Sequence, residues 1–134
     1  MGRVTKNDLA SSSNHWFNPS YRNYDLDTFT LDLIYKNKLL DGITFDVFFG
    51  SWCGDSHRHL PPFVKMTEYL NVPESDNRFM GLNEGKKSQE GFEDGKNITH
   101  VPTFIFYKNK KEIGRITESP SNSLEMDMLH ILEQ

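Results

Sequence analysis

One cysteine in 134 residues excludes an intramolecular disulfide, and with it any fold stapled by disulfide bridges. No apolar stretch approaches the ~20 residues that a membrane helix requires. Basic charge is not in excess either. Fifteen Lys and Arg against nineteen Asp and Glu leave a net charge of −4, so nucleic acid is not an expected partner. The opening residues, Met1-Gly2-Arg3-Val4-Thr5, contain no hydrophobic signal core. A cytoplasmic location is therefore expected, with the periplasm as the alternative if an export signal has been removed. Internal repeats, low-complexity tracts and interdomain linkers are also missing, and no cofactor is expected.

What is present suits a folded globule. Ten Phe and 36% hydrophobic residues can fill one core, and the length fits a single domain over 1–134. Residues 1–14 are polar and read as a loose arm or a short first helix. The aromatics from His15 to Tyr21 are expected to lie against the domain, since Trp and Tyr each remove much apolar surface from water. Asp25 or Asp27 can cap a helix running to about Leu40, with Asp41-Gly42 ending it. Ile43 to Phe49 reads as a strand buried on both faces. A helix follows from Cys53 to about Leu70, and Pro61 and Pro62 should kink it or break it in two. Arg78 to Asn83 reads as a second strand, and the polar stretch from Glu84 to Asn97 as a loop or short irregular helix. Thr103 to Tyr107 and Glu112 to Thr117 pair as a hairpin about Lys108-Asn109-Lys110. Ser121 or Ser123 then caps a last amphipathic helix. This order predicts an α/β architecture, a mixed sheet of about four to five strands with helices on both faces.

Cys53 falls at the corner between the first predicted strand and its helix, in Trp52-Cys53-Gly54-Asp55-Ser56. A helix N-terminus offers free N–H groups and the positive end of a dipole, both of which favour thiolate over thiol. Gly54 keeps side-chain bulk away from the sulfur, and Ser56, one helical turn on, can donate its O–H to it. Asp55 opposes them, because a nearby carboxylate disfavours a second negative charge.

These residues, with Pro61 eight positions after the cysteine and Val101-Pro102-Thr103 opening the hairpin, resemble the thioredoxin-like family. The likeness runs from about residue 28 to the C-terminus, which makes 1–27 an N-terminal extension and 28–134 the core. The Trp-Cys-Gly-Asp-Ser form is similar to bacterial thioredoxin-like proteins. The resemblance implies a thioredoxin fold, a cis bond before Pro102, and a partner backbone held by Val101, Pro102 and Thr103. It also implies Cys53 as the nucleophile, with Trp52 as a lid.

The sequence departs from the family in four places, the first being Asp55, which replaces a proline common in that loop. Ser56 stands where the resolving cysteine belongs, so a mixed disulfide can form but needs an outside thiol for release. Val47 stands where thioredoxins keep a buried acid, with Asp46 on the opposite face of a regular strand. Glu118 falls at or near a groove position that is often glycine. His57 and His100 are candidates for tuning the thiol. A zinc site built with Cys53 matches no strong ligand spacing, and no metal is expected. The expected activity is monothiol thiol–disulfide exchange with protein or low-molecular-weight thiols and disulfides, glutathione-type thiols included. The alternative is a redox-inactive binding or chaperone-like module.

Overall fold

The computed structural model describes residues 2–11, 14–88 and 90–134. Within the expected first arm, residues 1, 12 and 13 therefore lie outside the described residues, as does Gln89 in the predicted loop.

The first segment contributes more than a loose arm. Arg3–Val4 forms a short strand, β1, and Lys6–Leu9 a helical turn, α1. Thr5 starts that turn with a reciprocal cap: its hydroxyl accepts the Asp8 N–H while the Asp8 carboxylate accepts the Thr5 N–H. Phe17–Asn23 forms α2, and Thr28–Lys36 forms α3. Asp27 is the cap of α3, accepting Thr30 N–H at 3.2 Å and the Thr30 hydroxyl at 2.6 Å. The helix stops at Lys36, short of Leu40, because Lys38 turns into the left-handed region at φ 55°.

Ile43–Phe49 is β2, Gly54–Tyr69 α4, Asn77–Gly81 β3, Thr103–Lys108 β4, Lys111–Thr117 β5 and Leu124–Leu132 α5. The strands lie in the order β1-β3-β2-β4-β5, with β2 parallel to β3 and the other pairs antiparallel. Asn109 and Lys110, both at positive φ, make the two-residue turn of the β4–β5 hairpin. Ser123 caps α5 by accepting the Met126 N–H at 3.0 Å.

Pro61 and Pro62 do not divide α4, which runs unbroken from Gly54 to Tyr69. Each lacks a ladder N–H, but both are buried beside Leu60, Phe63 and Val64, and this packing keeps the segment helical.

The two faces of the sheet are covered unequally. Phe45, Val47, Phe49, Phe79, Phe104 and Phe106 face one core, which also takes in Leu31 and Ile34 of α3, Leu60 and Phe63 of α4, and Leu124 and Met128 of α5. Phe63 stacks on Phe104 with centroids 4.5 Å apart and meets Phe45 edge-on at 5.6 Å. Phe48, Met80 and Ile105 face the other way, into a smaller cluster with Leu82 and Val101. There Phe92 and Ile98 supply the cover. Both residues belong to the connection between β3 and β4, which the sequence reads in its polar part as a loop or short irregular helix.

Candidate functional site: the Cys53 corner

The corner is built on the C-terminal end of β2. Its Phe49 carbonyl accepts the Leu82 N–H at 2.8 Å, which carries the β2–β3 pairing one residue beyond the strands. Gly50 follows, and a Cβ there would lie 2.5 Å from the Trp52 ring, so only glycine lets the indole fold back over the turn. Trp52 Nε1 donates to the Leu82 carbonyl at 2.9 Å, yet the side chain remains 42% exposed. Trp52 thus lies back over the turn, one edge fixed and the rest of the ring partly exposed.

Cys53 is the N-cap of α4. Its N–H donates to Gly50 O at 3.0 Å and its carbonyl accepts the His57 N–H at 3.0 Å. The thiol is half-buried and approaches the Val101 carbonyl, with Sγ to O at 3.4 Å. The Val101–Pro102 peptide bond is cis. Pro102 O accepts the Glu118 N–H at 2.7 Å, and the Thr103 hydroxyl donates to His100 O at 2.6 Å. Cys53 and the Val101-Pro102-Thr103 segment are therefore brought together across a sequence separation of 48 residues. Glu118 sits beside them at φ 69°, a conformation in which glycine costs least.

The remaining predicted residues are placed differently. Ser56 is fully buried, and its Oγ accepts the Gly50 N–H at 3.0 Å, so the hydroxyl pins the turn in place. Gly54 is not demanded by crowding, because a Cβ there would meet nothing within 4 Å. The Asp55 carboxylate pairs with Arg58, which offsets its charge near the sulfur. His57 Nε2 bonds the Ser51 carbonyl and must carry the proton, since a carbonyl only accepts. His100 turns outward, with Nδ1 3.0 Å from the Thr99 hydroxyl and Nε2 3.8 Å from the Glu118 carboxylate. Burial, then the neighbouring Arg58 charge, push the half-buried His59 imidazole below its ordinary value, with Asp55 acting against them. Among the described residues no three His, Cys, Asp or Glu side chains gather as a metal-binding group.

Asp46 does not share the face of Val47. β2 pairs in unbroken register with both neighbours, leaving Val47 on the large core and Asp46 on the opposite face. There its carboxylate takes a two-point bond from Arg78. Sequence reasoning also missed the brace behind the corner, where Trp16 stacks on His57. The only signal for it was the aromatic run of which Trp16 is part.

A cysteine at the N-cap position of the helix after a central strand, its thiol beside a cis-proline loop on a five-stranded mixed sheet, defines a thioredoxin-fold protein with the ingredients of thiol-redox chemistry. The chain matches the family model described as "Thioredoxin" over residues 17–129 and belongs to that family. Thioredoxin-like protein R548 of Acanthamoeba polyphaga mimivirus is 29% identical over 89 residues, 66% of this chain and 61% of that protein. The match thus spans about three-fifths of that relative's length. Among solved structures, Fasciola hepatica thioredoxin is 20% identical with a TM-score of 0.48, over 76% of this chain and 86% of that one. Schistosoma mansoni thioredoxin is 22% identical with a TM-score of 0.47, over 73% and 87%. No helix among the described residues is long and apolar enough to cross a membrane.

Proposed function

We propose that this protein is a monothiol thioredoxin-like protein that carries out thiol–disulfide exchange through Cys53. The observation that carries this reading is the single thiol at the N-terminal end of α4, half-buried, 3.4 Å from the carbonyl of Val101 beside Pro102. The Cys53 thiolate attacks one sulfur of a partner disulfide, forming a Cys53 mixed disulfide and releasing the other sulfur as thiolate. With Ser56 at the second motif position, this chain holds no thiol to reverse that bond. An external thiolate, from glutathione or a protein, attacks the mixed disulfide, frees Cys53 and takes over the partner sulfur. Val101, Pro102 and Thr103 would hold the partner backbone, and Trp52, partly exposed on the same turn, would serve as a lid.

The test is exposure of the reduced protein to glutathione disulfide, followed by whole-protein mass measurement and an exchange assay with excess glutathione. One glutathione adduct, reversed by free thiol and lost in Cys53→Ala, is expected. Unchanged exchange in Cys53→Ala would sink the proposal. An intact thiol after prolonged treatment would favour a binding module that uses the same groove without turnover.

A further inference from the structure

A second site lies on the same sheet face as the smaller cluster, toward the opposite ends of the strands from the cysteine corner. It is an open cavity of about 380 Å³ whose walls include Asp46, Arg78, Lys96, Tyr107, Lys110 and the Ser75 residue. Three cations against one carboxylate leave a local surplus of two positive charges, on a chain whose net charge is −4.

The carboxylate is already engaged within the protein. Asp46 is 4% exposed, and both its oxygens accept from Arg78, from Nε and Nη2, each at 2.7 Å. This fork fixes the guanidinium while its Nη1 takes no part in the bond, so the cation is held in place before any ligand arrives. Lys96 is held more loosely. Its contacts with Asp46 at 3.5 Å and the Tyr107 hydroxyl at 3.4 Å are both long for hydrogen bonds, leaving the ammonium with donor capacity to spare. The same ammonium lies 5.6 Å from the Tyr107 ring centre, which steadies it over the cavity wall. Burial, then the Asp46 charge, push the Tyr107 hydroxyl up, so it stays a neutral O–H donor. Lys110, exposed in the hairpin turn, closes the rim.

We propose that this cavity binds a phosphate group, free or as a small phosphate monoester, with Arg78, Lys96 and Lys110 supplying the charge and Tyr107 an additional donor. A planar fork beside two ammonium groups matches a multiply charged oxyanion. The volume lies within the range of small-ligand sites, so it also admits a modest organic group attached to the phosphate.

The test is an amide-resolved NMR titration of the full chain with inorganic phosphate, against chloride at matched ionic strength, and in parallel with glycerol phosphate. Saturable shifts centred on Ser75, Lys96 and Tyr107 are expected. Lys96→Gln and Lys110→Gln should each weaken binding about tenfold, the scale of one charge-assisted hydrogen bond. Both substitutions leave the Asp46–Arg78 fork intact, and unchanged signals away from the cavity report that the fold survives. Tighter binding of the ester identifies a phosphorylated small molecule as the better ligand, and equal binding identifies the free ion; either supports the site. Shifts that never saturate, that scatter over surface lysines, or that ignore both substitutions would overturn it.

Discussion

The Trp16 indole lies face to face on the His57 imidazole, ring centres 4.3 Å apart and planes 14° from parallel. His57 in turn bonds the Ser51 carbonyl, inside the turn that delivers Cys53. The N-terminal segment therefore braces the reactive corner through one stacked ring. Phe17, buried against the large core, and Lys65 Nζ, donating to the Tyr24 carbonyl at 2.7 Å, hold that segment against α4. Trp16→Ala should cost about 1–3 kcal/mol, below the range for a fully buried aromatic because Trp16 is only half-buried. A lower urea midpoint with unchanged m-value is the expected signature. Faster alkylation of Cys53 in the same variant would separate bracing of the corner from bulk stability, and Trp16→Phe should restore much of both.

Gly50 and Gly54 flank the thiol and should respond oppositely to alanine. At Gly50 the new Cβ would meet the Trp52 ring at 2.5 Å, so the indole must leave the Leu82 carbonyl or the turn must shift. A loss of about 1–3 kcal/mol is expected, with a displaced indole N–H signal in the proton spectrum. At Gly54 the same methyl enters open space in the first turn of a helix. Stability there should stay within roughly 0.5 kcal/mol or rise slightly, since alanine is the better helix former.

Local chemistry explains which features could be read from the sequence. The Asp27 and Ser123 caps, the Ile43–Phe49 strand and the cysteine corner depend on neighbours within a few positions, and all were legible. Strand β1 was not, because two residues carry no periodicity and its pairing with Phe79 and Met80 is distant in sequence. The unbroken α4 was missed for a related reason: proline's local cost is visible in sequence, while the burial that offsets it is not. The role of Ser56 changed because burial points its oxygen at Gly50 N–H. Asp46 was placed on the correct face, yet its pairing with Arg78 depends on the β2–β3 register, which puts the two residues side by side. Trp16 and His57 meet only after the extension folds back on α4.

His59 sets a pH dependence. Its imidazole is pushed below its ordinary 6.5 by burial and then by Arg58, so the unfolded chain takes up the proton more readily than the native protein. Stability therefore rises with pH across this window. It is full above about 6.5, falls as pH drops toward the lower native value, and levels off beneath it. His59→Gln should flatten the His-dependent part of that slope while leaving stability at pH 8 nearly unchanged. Urea midpoints measured from pH 5 to pH 8 would show it, and parallel curves for both proteins would assign the slope to other groups.

Ser56→Cys tests whether the absent second thiol limits the chemistry. The position is one helical turn from Cys53, so a thiol there can approach the first sulfur. It is also fully buried, and the serine oxygen that accepts Gly50 N–H at 3.0 Å would give way to a poorer acceptor. A stability loss of about 1–2 kcal/mol should accompany the change. In the native protein a glutathione mixed disulfide at Cys53 should persist until external thiol is added. In the variant, the new thiolate attacks Cys53 Sγ, an internal disulfide forms and glutathione leaves as thiolate. The adduct should therefore decay without added thiol, followed by mass and by release of free glutathione. Persistence of the adduct in both proteins would mean that the buried position, rather than the missing sulfur, prevents internal release.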